Sequence, residues 1–164
     1  MHKETYIGWL NDAYSMEVGL VPVLENHEKD AEGNTEVQEK IQEHIEQTKK
    51  HAEMIKACIE RNGEDVSSGK ETFGSMLGKM KAASTGMYKD EVVKNALADY
   101  TAEHFEIASY QSLIAAATEM EDDETKQVCQ TILGEEEDMA AWLAEQIPTI
   151  TKDFMRQQAE KEDE

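Results

Sequence analysis

Three glutamates occupy positions that helical spacing would give to a hydrophobic core. Glu17 sits in the row Ile7, Leu10, Tyr14, Val21, Leu24; Glu103 in the row Ala96, Tyr100, Ile107, Tyr110, Ile114, Ala117; and Glu136 among Cys129, Ile132, Met139 and Leu143. At 3.6 residues per turn, each carboxylate falls near the centre of a buried stripe. Glu106 lies about 60° from Glu103, at the edge of its stripe, and Glu135 holds the matching edge beside Glu136. A fourth stripe, Ile41, Ile45, Thr48, Ala52, Ile55 and Ile59, carries no carboxylate but is bordered by His44, Gln47 and His51. Glu46 points about 160° away from Thr48 and faces solvent.

An unpaired buried carboxylate costs several kcal/mol or takes up a proton, so carboxylates that converge inside a protein need compensating charge. No lysine or arginine occupies a stripe centre beside them. Two divalent cations would neutralise much of the charge of Glu17, Glu103, Glu106, Glu135 and Glu136, as in carboxylate-bridged dimetal sites. Glu17, Glu103 and Glu136 are therefore expected to be the core metal ligands. Glu106 and Glu135 are open between ligand, support for a ligand, and solvated rim; His44, Gln47 and His51 are open between ligand and border residue. Met139 offers only a soft thioether and is assigned to the core. Tyr14, Tyr100 and Tyr110 are core residues, although a phenol there could hydrogen-bond a ligand carboxylate. His104, about 100° from Glu103, is expected to face outward, and His2 and His27 are assigned to the surface.

These side chains need long helices to position them. Proline occurs twice, glycines cluster between residues 63 and 86, and no stretch alternates apolar and polar residues over strand length. A first helix is expected from about Thr5 to Lys29, followed by the turn AEGNT, whose Thr35 and Gln38 have capping-box spacing for a second helix ending near Asn62–Gly63. A long crossover over residues 63–89 has room for a short helix from Glu71 to Ala83. A third helix then runs from Asp90 to about Met120, EDDE turns the chain, and a fourth runs to Ile147. Pro148 is expected to start a short tail helix, about residues 148–160. Two helical hairpins joined by one long connection make an all-α, ferritin-like four-helix bundle, a single domain over residues 1–164. Folding each hairpin about its turn brings Glu17 opposite Gln47 and Thr48, and Glu136 opposite Ile107, so the polar layers can meet at mid-height.

Thirty-six acidic residues against 16 basic ones give a net charge of −20, which opposes binding to nucleic acid or an anionic bilayer. The longest apolar run, Leu113 to Ala117, is far too short to cross a membrane, and the start MHKETYIGWL lacks a signal-peptide layout. A cytoplasmic protein is expected. Cys58 and Cys129 have no CxxC partner and are assigned to the core.

The segments WLNDAYSMEVGL around Glu17, EHIEQTK around His44, AEHFEIASYQSLIAAA around Glu103 and Glu106, and ILGEEEDMAAWLAEQIP around Glu135 and Glu136 resemble the YciE/YciF family of bacterial ferritin-like stress proteins, most closely its YciE branch. The resemblance runs from about Tyr6 to Phe154. It implies a ferritin-like bundle, a homodimer, a dimetal centre of iron or manganese, and a role in general or osmotic stress without an agreed biochemical activity. Three positions depart from the pattern: Gln47 replaces a usual glutamate, Met139 stands where ferritin-like oxidases carry histidine, and Pro22 interrupts the first helix one turn past Glu17. Two readings follow. In one, a dimetal centre supports redox or oxygen/peroxide chemistry; in the other, a non-enzymatic dimerisation or partner-binding scaffold keeps a metal-free polar layer.

Overall fold

The apolar periodicity resolves into four long helices. A computed structural model of the chain describes residues 2–67 and 90–162, with α1 (His2–Asp30), α2 (Thr35–Arg61), α3 (Glu91–Glu119) and α4 (Asp123–Glu162), and no strand among them. α1 packs most extensively on α2 and α3 on α4, while the hairpins meet through α1–α3 and α2–α4. Antiparallel rungs fix the register: Tyr6 meets Asp122, Glu17 meets Tyr110 and His27 meets Asp99 between the hairpins. This is the ferritin-like bundle that the two-hairpin pattern predicts. The expected helix from Glu71 to Ala83 lies outside the described residues.

The core has two apolar segments. One gathers Tyr6, Ile7, Leu10, Met16 and Leu20 with Ile55, Ile59, Leu113, Cys129 and Ile132; the other gathers Leu24, Ala31, Val37, Ile41, Ile45, Ala96 and Ile150. Each fully buried aliphatic side chain contributes about 1.5–3 kcal/mol. Glu17, His44, Thr48, His51, Glu103, Glu106 and Glu136 are all buried, near the height at which the two segments meet. Among the described residues, no helix is long and apolar enough to cross a membrane.

Local chemistry departs from the sequence expectation at three points. The α2 cap is Asn34, not Thr35: its side chain accepts from the Val37 amide, and Gln38 reaches back to the Glu28 carbonyl. Gly33 supplies the positive φ of +96° that tightens the turn before it, which leaves asparagine at the cap position. Second, there is no separate tail helix, because α4 continues through Pro148 to Glu162. A proline removes one backbone donor, but Ile147 and Ile150 on either side pack onto the second apolar segment and hold the helix together. Third, α3 is rotated from its expected setting. It buries Asn95, Asp99, Ala102, Glu103, Glu106, Tyr110 and Leu113, while Tyr100, Ile107 and Ile114 are only half-buried. Alanines on several faces of α3 leave its apolar centre poorly defined by sequence, so contact with α1 and α4 sets the rotation. α1 likewise continues through Pro22, which is exposed, as is Val18, whose carbonyl loses its helical donor there.

Asp122 ties one end of the bundle together. Its carboxylate accepts from Tyr6 of α1, Arg61 and Asn62 at the end of α2, and the Thr125 amide in the first turn of α4. Burial would raise its pKa, but the bonds from Asn62, Thr125 and Arg61 outweigh it and hold the carboxyl far below the usual range. Asp122→Ala removes a cap and several charge-assisted bonds together, and should lower unfolding stability by roughly 2–4 kcal/mol in urea titrations. A loss under half a kcal/mol would show that these bonds merely replace solvation.

Candidate metal centre

Four helices each deliver a polar side chain to one layer. Glu17 comes from α1, His44 and His51 from α2, Glu103 and Glu106 from α3, and Glu136 from α4. The spacing of seven between the two histidines is two helical turns, so both face the same way at different heights. Two sets form, and Glu136 belongs to both. Glu17, His51 and Glu136 bring ligand atoms within 4.8 Å of one another, as do His44, Glu103 and Glu136.

The distances resemble ligands around shared points more than hydrogen-bonded pairs. His51 Nδ1 lies 2.9 Å from Glu136 Oε1 and 3.7 Å from Glu17 Oε2, yet neither His51 Nδ1 nor Glu136 Oε1 has hydrogen-bond alignment with any partner. His44 Nε2 is 2.9 Å from Glu103 Oε1 and 3.8 Å from Glu136 Oε2. Glu17 Oε2, Glu103 Oε2 and both oxygens of Glu106 and of Glu136 are also buried without partners. Among the described residues, the remaining buried side-chain atoms in this condition are His27 Nε2 and Asn95 Oδ1. Unsatisfied buried polar atoms are rare, and such a concentration in one layer is a set of groups that could hold a cation.

Each histidine is held from behind. His51 Nε2 lies 2.5 Å from Glu135 Oε2, and His44 Nδ1 lies 3.4 Å from Gln47 Oε1. An acceptor behind an imidazole fixes the proton there and turns the other nitrogen's lone pair into the layer. The two rings are used in opposite senses, with Nδ1 facing inward in His51 and Nε2 in His44. Glu135, partly exposed, and Gln47 thus stand behind the imidazoles rather than among the inward-facing atoms. Tyr110 is fully buried and donates its hydroxyl proton to Glu17 Oε1. Met139 is core, as expected, and exposed Glu46 pairs with Lys49.

Two expectations are corrected. Glu106, placed at the stripe edge by sequence, is buried with 1% exposure because of the rotation of α3. His27, assigned to the surface, is equally buried and lies 2.6 Å from Asp99 Oδ1. A signal for that pair did exist: His27 continues the spacing of Leu20 and Leu24, and Asp99 precedes Glu103 by four. Polar residue types concealed both. His104 is exposed, with its ring 4.5 Å from that of Tyr100.

The electrostatics follow from charges crowded in a dry layer. Burial raises Glu17 and Glu103, the latter to about 8, even though His51 and His44 respectively oppose the rise. Burial and the charges of Glu136 and Glu103 push Glu106 well above the carboxylate range. Burial works against protonation of the imidazoles, but neighbouring carboxylates outweigh it and raise His44 to about 9 and His51 to about 10. Glu136 goes the other way: burial is outweighed by adjacent His51 and the charge of His44.

The family described as Domain of unknown function (DUF892) matches residues 1–156. The chain belongs to this family. A protein of Xanthomonas campestris pv. campestris has a similar solved structure, with 30% identity and a TM-score of 0.83 over 97% of this chain and 99% of the other. The fold is also that of the E. coli stress protein YciF, at 22% identity and a TM-score of 0.82 over 93% of this chain and 98% of that one. YcfI from Rhodopseudomonas palustris matches at 22% identity with a TM-score of 0.78, covering 88% and 93%. The family match and these folds agree with the YciE/YciF resemblance, but they do not favour its YciE branch.

The metal-free layer makes stability depend on pH. Glu103, His44 and His51 all bind protons more tightly folded than unfolded, so their contribution is complete below the unfolded values of 4.5 and 6.5. It is lost as pH rises through about 8, 9 and 10 respectively. Glu136, with a lowered value, opposes this at the acid end. Chelator-treated protein should therefore lose unfolding free energy steadily from mildly acidic to alkaline pH. A curve that rises with pH would mean that these groups are not protonated as the layer requires.

Proposed function

We propose that this protein holds a dinuclear transition-metal centre, with Glu17 and His51 serving one ion, Glu103 and His44 the other, and Glu136 common to both. The observation that carries it is the membership of Glu136 in both three-residue sets, amid buried atoms that lack partners. Glu106, with two unpartnered oxygens, completes the negative ligand set. Glu17, Glu103, Glu106 and Glu136 together match the charge of two divalent cations when both histidines are neutral. Oxygen and imidazole ligands without thiolate suit iron or manganese. Bound metal would supply one-electron redox chemistry towards oxygen or peroxide. The chain's own part is to exclude water from the layer, to orient His51 through Glu135 and His44 through Gln47, and to steady Glu17 through Tyr110. A stress-associated role and a cytoplasmic homodimer follow the family resemblance and belong to the same proposal. A scaffold with a permanently protonated, metal-free layer is the competing reading.

Stoichiometry distinguishes them. Untagged protein reconstituted anaerobically with Fe(II) or Mn(II) should retain about two ions per chain by elemental analysis. Glu17→Ala and Glu103→Ala should each leave about one, whereas Glu136→Ala should leave close to none, because it removes a ligand from both positions. Retention near zero in the parent protein would favour the scaffold.

Loading should also displace protons, since His44 and His51 hold them near neutrality and coordinate only when neutral. Calorimetry in buffers of different ionisation enthalpy should report release of about two or more protons per chain, with affinity falling as pH falls. Glu135→Ala and Gln47→Ala should weaken binding about 10- to 100-fold without changing the number of ions, the effect expected when a ligand loses its orienting partner. Unchanged affinity in both variants would remove them from the centre.

A further inference from the structure

A second buried polar group lies on the opposite side of Leu24 from Glu17 along α1, within the other apolar segment. His27 and Asp30 come from α1, and Asn95 and Asp99 from α3. His27 Nδ1 is 2.6 Å from Asp99 Oδ1, and Asn95 Nδ2 donates to Asp30 Oδ2 at 2.9 Å. His27, Asn95 and Asp99 are at most 5% exposed. They line a cavity of about 20 Å³ together with Val37 and Ile41 of α2 and Trp142 and Leu143 of α4. The elements packed against this group from α2 and α4 thus present only apolar side chains to the cavity, apart from the indole N–H of Trp142.

The two aspartates decide what the cavity can hold. An ionised carboxylate only accepts, so the imidazole nitrogen facing Asp99 carries its ring's proton and Nε2 is left with a lone pair. By the same rule Asp30 takes the amide NH₂ of Asn95 and leaves its Oδ1 as an acceptor. These atoms, His27 Nε2 and Asn95 Oδ1, are the unpartnered ones. Two buried acceptors beside a space of this size call for a ligand with two donors and the dimensions of water, which needs about 10–15 Å³.

We propose that His27, Asp99, Asn95 and Asp30 form an internal hydration site in which one water donates to His27 Nε2 and to Asn95 Oδ1. Asp99 orients the ring, so His27 is a buried base hydrogen-bonded to that water and can exchange a proton with it. The site shares no residue with the carboxylate layer and does not depend on metal there. It also supplies the bonding that a buried rung between α1 and α3 would otherwise lack.

Nitrogen-15 NMR of the full-length, chelator-treated protein tests this without any substitution. The His27 ring should show a protonated Nδ1, an unprotonated Nε2 and a cross-relaxation contact to a long-lived water. The reverse tautomer, an imidazolium near neutral pH, or a dry ring would overturn the proposal. Asn95→Leu, which removes one acceptor and fills the space, should abolish the water contact while leaving the Nδ1-protonated tautomer and the metal content unchanged. Persistence of the water in that variant would exclude Asn95 as its partner. Thermal stability should be equal in ammonium chloride and sodium chloride; a specific gain with ammonium would assign the cavity to that cation and overturn water.

Discussion

Buried carboxylates that have imidazoles, and no lysine or arginine, beside them among the described residues constrain everything else in this molecule. Glu17, Glu103, Glu106 and Glu136 are each at most 1% exposed, and among the described residues the groups beside them that can carry positive charge are His44 and His51. In a low-dielectric layer, such charges are tolerated only if protonated, paired with imidazolium or coordinated to cations. The first two describe the metal-free molecule and the third its proposed loaded form. The same residues serve both because imidazole can be either a cation or a neutral ligand.

The bundle around the layer is built to keep it dry and in register. Apolar segments meet around it, and interhelical rungs hold α1 against α3 and the turn that follows it at three heights, through Tyr6–Asp122, Glu17–Tyr110 and His27–Asp99. Each rung is polar, so each has a preferred geometry and resists the sliding that a purely apolar seam would permit. Asp122 adds the end of α2 and the start of α4 to the first rung. Inside this frame the imidazoles are set by rear contacts, to Glu135 for one and Gln47 for the other. Gln47 can do this without charge. An amide oxygen accepts from an imidazole N–H as a carboxylate oxygen does, so Gln47 fills this place as a neutral group.

Much of this was legible in the chain. Carboxylates at apolar positions on three helices, two histidines seven apart on the remaining one, and short turns between paired helices identify the bundle and its layer. Other features were hidden for specific reasons. The alanine-rich surface of α3 concealed the rotation that carries Glu106 from the rim to the interior. His27 and Asp99 occupy core spacing but are polar, so each alone looks like a surface residue, and only their mutual contact makes burial tolerable. Glu135 and Gln47 could be placed near the site but not behind the imidazoles, because that depends on side-chain direction across helices.

By itself, then, the sequence determined the four long helices of the bundle, their hairpin pairing, the level of the polar layer and most of its members. Those properties depend on local spacing along one chain, which a 3.6-residue repeat converts directly into direction and height. Tertiary structure alone decided which nitrogen of each histidine faces inward, that Glu136 is common to both three-residue groups, that Glu106 is interior, and that His27 has a buried partner. Each of these depends on how one helix is turned against another, and a stripe with apolar residues on several faces leaves that angle to be set by packing.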